Sequence, residues 1–264
     1  MAYEFEDLLL QPGDATQTTL YLQSLAEMDT NYNILVRVVG ENGQEVVRFD
    51  GWPWGAPTSE WPVREIRPDG HLIVVPADTP PGLYRVTVAF YDPATLDRLP
   101  VTSSDTGELI SADERDVALL RVGAAPEPVT QWDEPVNFGN TIGLSSATLP
   151  GTAKPGDTLP LRLYWESMAS TPVDYTAFVH VIGPDGSQVA GYDQQPRNGF
   201  AATHLWQAGQ CIVDELEIPL PADLASGTYE VRVGLYTLEN GRLPVLAADQ
   251  VVGDYTVLGE VEIP

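Results

Sequence analysis

Residues 221–231 read PADLASGTYEV, and residues 76–86 read PADTPPGLYRV. Each stretch starts at a proline-marked turn and runs into strict alternation. Tyr229, Val231, Val233 and Leu235 fall on one face, with Glu230 and Arg232 opposite. Tyr84, Val86, Val88 and Phe90 do the same upstream. A period of two is the mark of a half-buried strand.

The match extends in both directions. Pro12-Gly13-Asp14 lies over Pro155-Gly156-Asp157, and LYLQSLAEMDTNY (20–32) lies over LYWESMASTPVDY (163–175) without a gap. VRVVGENGQEVVRFD ends at Asp50, and VHVIGPDGSQVAGYD ends at Asp193. After a loop of unequal length, Thr58 and Trp61 meet Thr203 and Trp206, and Arg98-Leu99-Pro100-Val101 meets Arg242-Leu243-Pro244-Val245. The period is too long for a solenoid, so the sequence reads as a duplicated domain. Asn42-Gly43, Asp185-Gly186 and Asn240-Gly241 punctuate the strands, and such pairs suit two successive positive φ angles in tight hairpins. Short strands with frequent turns and no sustained helical period predict an all-β protein: two tandem immunoglobulin-like antiparallel sandwiches. The expected boundaries are repeat 1 at 1–123, a Pro-rich linker at 124–135 and repeat 2 at 136–264. The second repeat carries VNFGNTIGLSSATL (136–149) before its Pro-Gly-Asp; the first has only eleven residues there, so its opening strand is shortened or cut.

Composition narrows the function. In 264 residues, 13 basic side chains face 38 acidic ones, a formal charge of −25, and Lys154 is the single lysine. Nucleic acid and anionic membranes both need clustered positive charge, so neither is an expected partner. No apolar run approaches a membrane span, and Leu8-Leu9-Leu10 is too short for a signal peptide. One cysteine, Cys211, forms no disulfide framework and no thiolate metal site; it reads as a buried small hydrophobe. Catalytic fingerprints for nucleophile elbows, zinc proteases, phosphate loops and dinucleotides are missing, and no cofactor or metal is expected. His71, His180 and His204 read as surface or rim residues.

The recurring residues set the candidate positions. Asp50 and Asp193, Asp69 and Asp214, and Asp78 and Asp223 occupy matching places, which points to structural work rather than to two active sites. Asp78 and Asp223 are expected to hold turn amides, and Arg98 and Arg242 to pair with one of these carboxylates. Trp61 and Trp206 read as core. Asp113-Glu114-Arg115-Asp116 is an acidic loop without the alternating ligands of a known calcium loop. The main functional signal is Gly51-Trp52-Pro53-Trp54-Gly55 followed by Trp61. Trp52, Trp54 and Trp61 on a Pro/Gly-rich loop suit a stacking platform for a sugar or a Pro-rich peptide. They equally suit a lid over the sandwich end or an interface.

Two resemblances add to this. The PAD-x-x-x-G-x-Y-x-V motif resembles the tyrosine corner of immunoglobulin-like and fibronectin type III-like domains, which implies that Tyr84 and Tyr229 bond back to the preceding turn. The set Pro-Gly-Asp, L-x-L-Y-W, Trp206 with Asp214 eight residues on, PAD…G-x-Y and G-L-Y…G-R-L-P is similar to the soluble C-terminal β-sandwich region of large bacterial multi-pass membrane proteins. Their membrane parts resemble glycosyltransferases. The first repeat departs in having Leu22 for the Trp. The resemblance implies an extracytoplasmic, cell-surface setting in a larger, membrane-anchored protein. It implies no activity. The expectation is a non-catalytic module that binds glycan or protein or acts as a spacer; the alternative is a glycan-active hydrolase using a carboxylate pair.

Overall fold

Alternation becomes strand throughout the chain. A computed structural model of the protein describes residues 1–104, 106–128 and 130–264. It is all-β, with four short 3-10 turns and no α-helix among the described residues. The chain divides into two units, Met1–Ala124 and Ala125–Pro264.

In unit 1 the strands are β1 (Ala2–Phe5), β2 (Leu9–Leu10), β3 (Ala15–Gln23), β4 (Asn33–Gly40), β5 (Glu45–Gly51), β6 (Ile66–Val74), β7 (Gly82–Tyr91), β8 (Val101–Thr102), β9 (Leu109–Ser111) and β10 (Arg115–Val122). They form a β1-β3-β6 sheet, a β2-β10-β7-β4-β5 sheet and a small β8-β9 hairpin. All pairs in it are antiparallel except β2 with β10. The core joins both sheets: Leu20, Leu22 and Ile73 meet Ile34, Val36, Val38, Val86 and Val88, and Trp61 belongs to the same cluster.

Unit 2 contains β11 (Val136–Phe138), β12 (Ile142–Thr148), β13 (Thr158–Ser167), β14 (Thr176–Ile182), β15 (Gln188–Gln194), β16 (Cys211–Pro219), β17 (Gly227–Thr237), β18 (Gly241–Arg242), β19 (Val245–Ala247), β20 (Gln250–Gly253) and β21 (Thr256–Ile263). One sheet runs β16-β13-β12-β11-β19-β20; the other runs β15-β14-β17, with β18 and β21 both on β17. The pairings β3–β6, β4–β5, β4–β7 and β7–β10 thus have counterparts in β13–β16, β14–β15, β14–β17 and β17–β21. The units differ beside these shared pairings. In unit 2, β11 bridges β12 and β19 into a single sheet; in unit 1, β1 pairs with β3 at the register of the second half of β12, and β8 pairs with β9.

The hairpins depart from the sequence expectation. Gly43 and Gly186 have φ of 79° and 83°, whereas Asn42 and Asp185 are not left-handed. Gly40 N–H bonds Gln44 O and Gly183 N–H bonds Ser187 O, each next to a register shift, at Val38/Val39 and Val181/Ile182. These are longer turns that close with a bulge, so one left-handed glycine suffices where a two-residue turn would need two such positions.

The region expected as a linker is bonded into unit 2. Trp132 N–H donates to Ser145 O at 3.2 Å, Ser146 Oγ to Thr130 O, and Tyr164 Oη to Glu127 O at 3.3 Å. Val129 of that stretch lies outside the described residues.

Tyr84 and Tyr229 are buried, and their hydroxyls donate to Pro80 O at 2.7 Å and Ala225 O at 2.8 Å. Asp78 and Asp223, expected to hold the turns, are both exposed. The carboxylates that take turn amides belong to the Pro-Gly-Asp motif, with Asp14 accepting Gln11 N–H at 2.8 Å and Asp157 accepting Lys154 N–H at 2.9 Å. In either tyrosine corner, Tyr→Phe leaves a carbonyl without its donor and is expected to lower stability by about 1–3 kcal/mol. Urea unfolding of Tyr84→Phe and Tyr229→Phe measures this, and an unchanged midpoint would show that the hydroxyl bonds contribute nothing.

Candidate functional site

Beyond Gly51 the chain leaves β5 and makes a single 3-10 turn, Pro53–Gly55, with Pro53 supplying the first φ. Trp54 sits at φ 57°, ψ 16°. A left-handed non-glycine residue costs roughly 1–2 kcal/mol, so something must hold it. Asp69 does: its Oδ1 accepts Trp54 N–H at 2.8 Å, while Oδ2 meets His71 Nε2 at 2.9 Å. Asp69 and His71 are both buried. The His71 ring lies edge-on to Phe49 at 4.5 Å. Arg67 places its guanidinium 3.8 Å over the Trp54 ring and bonds Glu65 at 3.0 Å.

One face of β6 therefore carries Arg67, Asp69 and His71, all underneath the loop, while Ile66, Leu72 and Val74 stand exposed on the other. The usual polar-out alternation is inverted here. Trp52 and Trp54 remain 49% and 45% exposed, whereas Trp61 is 8% exposed and part of the core. The arrangement offers two half-open indole faces on a backbone fixed from below. It brings Trp54 together with Asp69, leaves Trp52 half-exposed two residues before it, and leaves Trp61 in the interior.

Unit 2 repeats the anchor with other side chains. Asp214, fully buried, accepts Arg197 N–H at 2.9 Å through Oδ1. Arg197 and Asn198 are both left-handed, at φ 56° and 54°. Tyr192 Oη bonds Asn198 Oδ1 at 2.8 Å. Burial and the adjacent Asp214 carboxylate push the Tyr192 hydroxyl up to about 12, against a smaller opposing contribution from Asn198. Trp206 is buried and donates its indole N–H to Ala201 O at 2.9 Å.

Several sequence expectations are corrected. His71 is buried rather than at the surface, because Asp69 supplies the partner that makes burial tolerable. His180 and His204 pair with Asp193 at 3.2 Å and Asp174 at 2.7 Å. Cys211 is exposed, since it falls on the outward register of β16. Arg98 bonds Glu114 at 3.1 Å and Arg242 bonds Asp254 at 3.3 Å, not the recurring aspartates. The acidic loop is engaged the same way, with Asp116 on Arg85 at 2.6 Å. Asp50 takes hydrogen bonds from Tyr91, Arg48 and Asn33; burial pushes its carboxyl up, but these bonds outweigh it and hold the group below its ordinary range. Sequence reasoning overlooked Arg67 and Phe49. The signal was available: Arg67, Asp69 and His71 share one side of a strand whose other side is apolar.

No family model and no curated protein matches the chain. Solved structures share some of its course. A β-glucuronidase from Bacteroides uniformis is 12% identical over 94% of this chain and 26% of its own length, with a TM-score of 0.32. A glycosyl hydrolase family 2 member from Bacteroides cellulosilyticus is 10% identical over 94% of this chain and 27% of its own, with a TM-score of 0.29. A DUF4785 family protein from Legionella pneumophila is 10% identical over 99% of this chain and 55% of its own, with a TM-score of 0.26. The chain thus spans between about a quarter and a little over half of these proteins. Among the described residues no helix is long and apolar enough to cross a membrane.

Two outcomes are expected of the anchors. Asp69→Ala strands the Trp54 N–H and the His71 ring, and should cost about 1–3 kcal/mol in urea unfolding while speeding amide exchange at Trp54. For Tyr192 the sign follows from linkage. A hydroxyl with folded pKa about 12 against an ordinary 10.0 keeps its proton longer in the folded state, so its contribution is whole below pH 10 and is lost as pH rises to about 12. Tyr192→Phe should flatten that part of the stability profile; an unchanged alkaline slope would contradict the assignment.

Proposed function

We propose that this chain is a non-catalytic β-sandwich module that binds a neutral glycan on the Trp52–Trp54 loop. It would work in an extracytoplasmic setting, as part of a larger membrane-anchored, glycosyltransferase-like protein. The observation that carries the reading is the pinned loop: two half-exposed indoles on a backbone locked by the Asp69–Trp54 bond. A fixed platform loses little conformational freedom on binding, which is where affinity for a weakly hydrophobic ligand is most often lost. Trp52 and Trp54 supply flat rings, one face of Trp54 being covered by the Arg67 guanidinium, and Glu65 and Arg67 supply hydrogen-bonding groups. A charge of −25 disfavours anionic ligands. The recurring carboxylates support a non-catalytic role, because Asp69 and Asp214 act as loop acceptors and Asp50 is bonded by Arg48 and Tyr91. The membrane-anchored setting rests on the sequence resemblance alone.

Titration with neutral oligosaccharides, followed by tryptophan fluorescence and calorimetry, tests this. Saturable binding is expected, weakened at least tenfold, about 1.4 kcal/mol, by Trp52→Ala or Trp54→Ala with unfolding midpoints unchanged. Absence of binding to every neutral glycan at millimolar concentration, or variants that bind like the parent, would overturn it.

A further inference from the structure

In unit 1, β5 ends one sheet and β6 ends the other. Along that side the sandwich is left open. Val36 and Val38 of β4 lie opposite Phe49 and Val47 of β5, and directly paired residues share a face of the sheet. Val36 and Val38 are core, so all four point inward. His71 and Ile73 are inward residues of β6. Between the two rows lies a cleft of about 200 Å³, bordered entirely by residues from Val36 to Ile73. Phe49 is 41% exposed although its partner Val36 is buried, because its ring borders this space.

One polar ring stands among these apolar side chains. His71 is 5% exposed and borders the cleft. Its Nε2 lies 2.9 Å from Asp69 Oδ2. A carboxylate only accepts, so Nε2 carries the proton, and in the neutral ring Nδ1 is left with a lone pair. That nitrogen has no hydrogen-bond partner among the described residues, and it is not sealed from the space beside it. Arg48, the cation bordering the cleft, is already bonded by Asp50 at 2.9 Å and Glu45 at 3.5 Å. With a charge of −25 on the chain, an anion is disfavoured here. Unit 2 has Leu216 and Tyr192 at the positions of His71 and Phe49, so the acceptor is peculiar to unit 1.

We propose that this cleft binds a small neutral phenol, a single aromatic ring whose hydroxyl donates to His71 Nδ1. An apolar cavity of about 150 Å³ admits benzene, so the space suits one ring with a small substituent. Val36, Val38, Val47 and Ile73 supply apolar walls. Phe49 and His71, edge-on to each other at 4.5 Å, add ring surfaces of the kind aromatic partners favour. A sugar would bury more hydroxyls here than one acceptor can satisfy. The site is therefore distinct from the tryptophan loop and does not rest on the glycan reading. The two meet only at Asp69, whose other oxygen takes the Trp54 N–H.

The probe is p-cresol, titrated into the ¹⁵N-labelled full chain at about pH 8, where an ordinary imidazole is neutral. The readout is the imidazole nitrogen resonances of His71, assigned through His71→Gln. Saturable movement of the Nδ1 resonance is expected. Para-fluorotoluene, which has nearly the same shape and no donor, should bind at least tenfold more weakly. Val47→Phe, at a half-buried position, fills the cleft and should abolish binding while the unfolding midpoint holds. His71→Gln keeps an N–H for Asp69 but removes the lone pair, and should erase the preference for p-cresol. If either variant loses stability, the two ligands compared on the parent chain decide. N-acetyltyrosinamide separates the sources of the ring: binding as tight as that of p-cresol assigns the cleft to a tyrosine of another polypeptide, weaker binding to a free phenol. Overturning results are no saturable movement at millimolar p-cresol, equal binding of para-fluorotoluene, unchanged binding to a stable Val47→Phe, or movement confined to the Trp52 and Trp54 resonances.

Discussion

A buried carboxylate receiving one backbone N–H organises the end of each unit. Asp69 and Asp214 reach out from matching strands to a residue that would otherwise avoid its left-handed conformation, Trp54 in one case and Arg197 in the other. A charge in the interior is costly unless it is bonded. In unit 1 that condition is met twice over, by the loop amide and by His71. The aspartate, the turn and the burial of the histidine are thus one interdependent arrangement. The side chain displayed at the top of the turn does not enter into it. Tryptophan stands there in unit 1 and arginine in unit 2, on the same backbone device.

Much of the fold was legible because it depends on local rules. Alternation around Tyr84 and Tyr229 defined the central strands, and the Pro-Ala-Asp…Gly-x-Tyr spacing located the corner bonds. What was not legible depends on side-chain partners rather than on local pattern. His71 looked like a surface residue because Asp69, two residues away on the same strand, was read as a recurring structural aspartate and not as the partner of its ring. Arg98 and Arg242 were matched to the wrong acids because Glu114 and Asp254 arrive on later segments. Cys211 was misjudged from its identity; its place on an outward register decides its exposure. For the site, the tryptophan loop was visible in the sequence; its anchor went unread because Asp69 and His71 were taken one at a time and not as one side of a strand.

The two units share their central pairings but are completed differently. Unit 2 closes its larger sheet by inserting β11 between β12 and β19, and it completes the ring around Trp206 with two additional loop residues. Unit 1 keeps the pairings β3–β6, β4–β5, β4–β7 and β7–β10 and has the shorter loop before Trp61. Glu127, Thr130 and Trp132, ahead of β11, are bonded to Tyr164, Ser146 and Ser145, so the approach to that hairpin is itself part of unit 2.

The inverted strand β6 has a consequence for behaviour at high concentration. It lies at the rim of its sheet, and its outward residues Ile66, Leu72 and Val74 form an apolar row beside open main-chain groups. Its counterpart β16 presents Glu215, Glu217 and Pro219 outward instead, side chains that discourage strand-to-strand association. Unit 1 lacks those outward groups on the strand whose inner side carries Arg67, Asp69 and His71. What keeps copies of the molecule apart is then long-range repulsion between chains that each carry −25. Colloidal stability of this protein is therefore tied to ionic strength and to distance from its pI near 4.1, and self-association under salt or acid should begin at this rim.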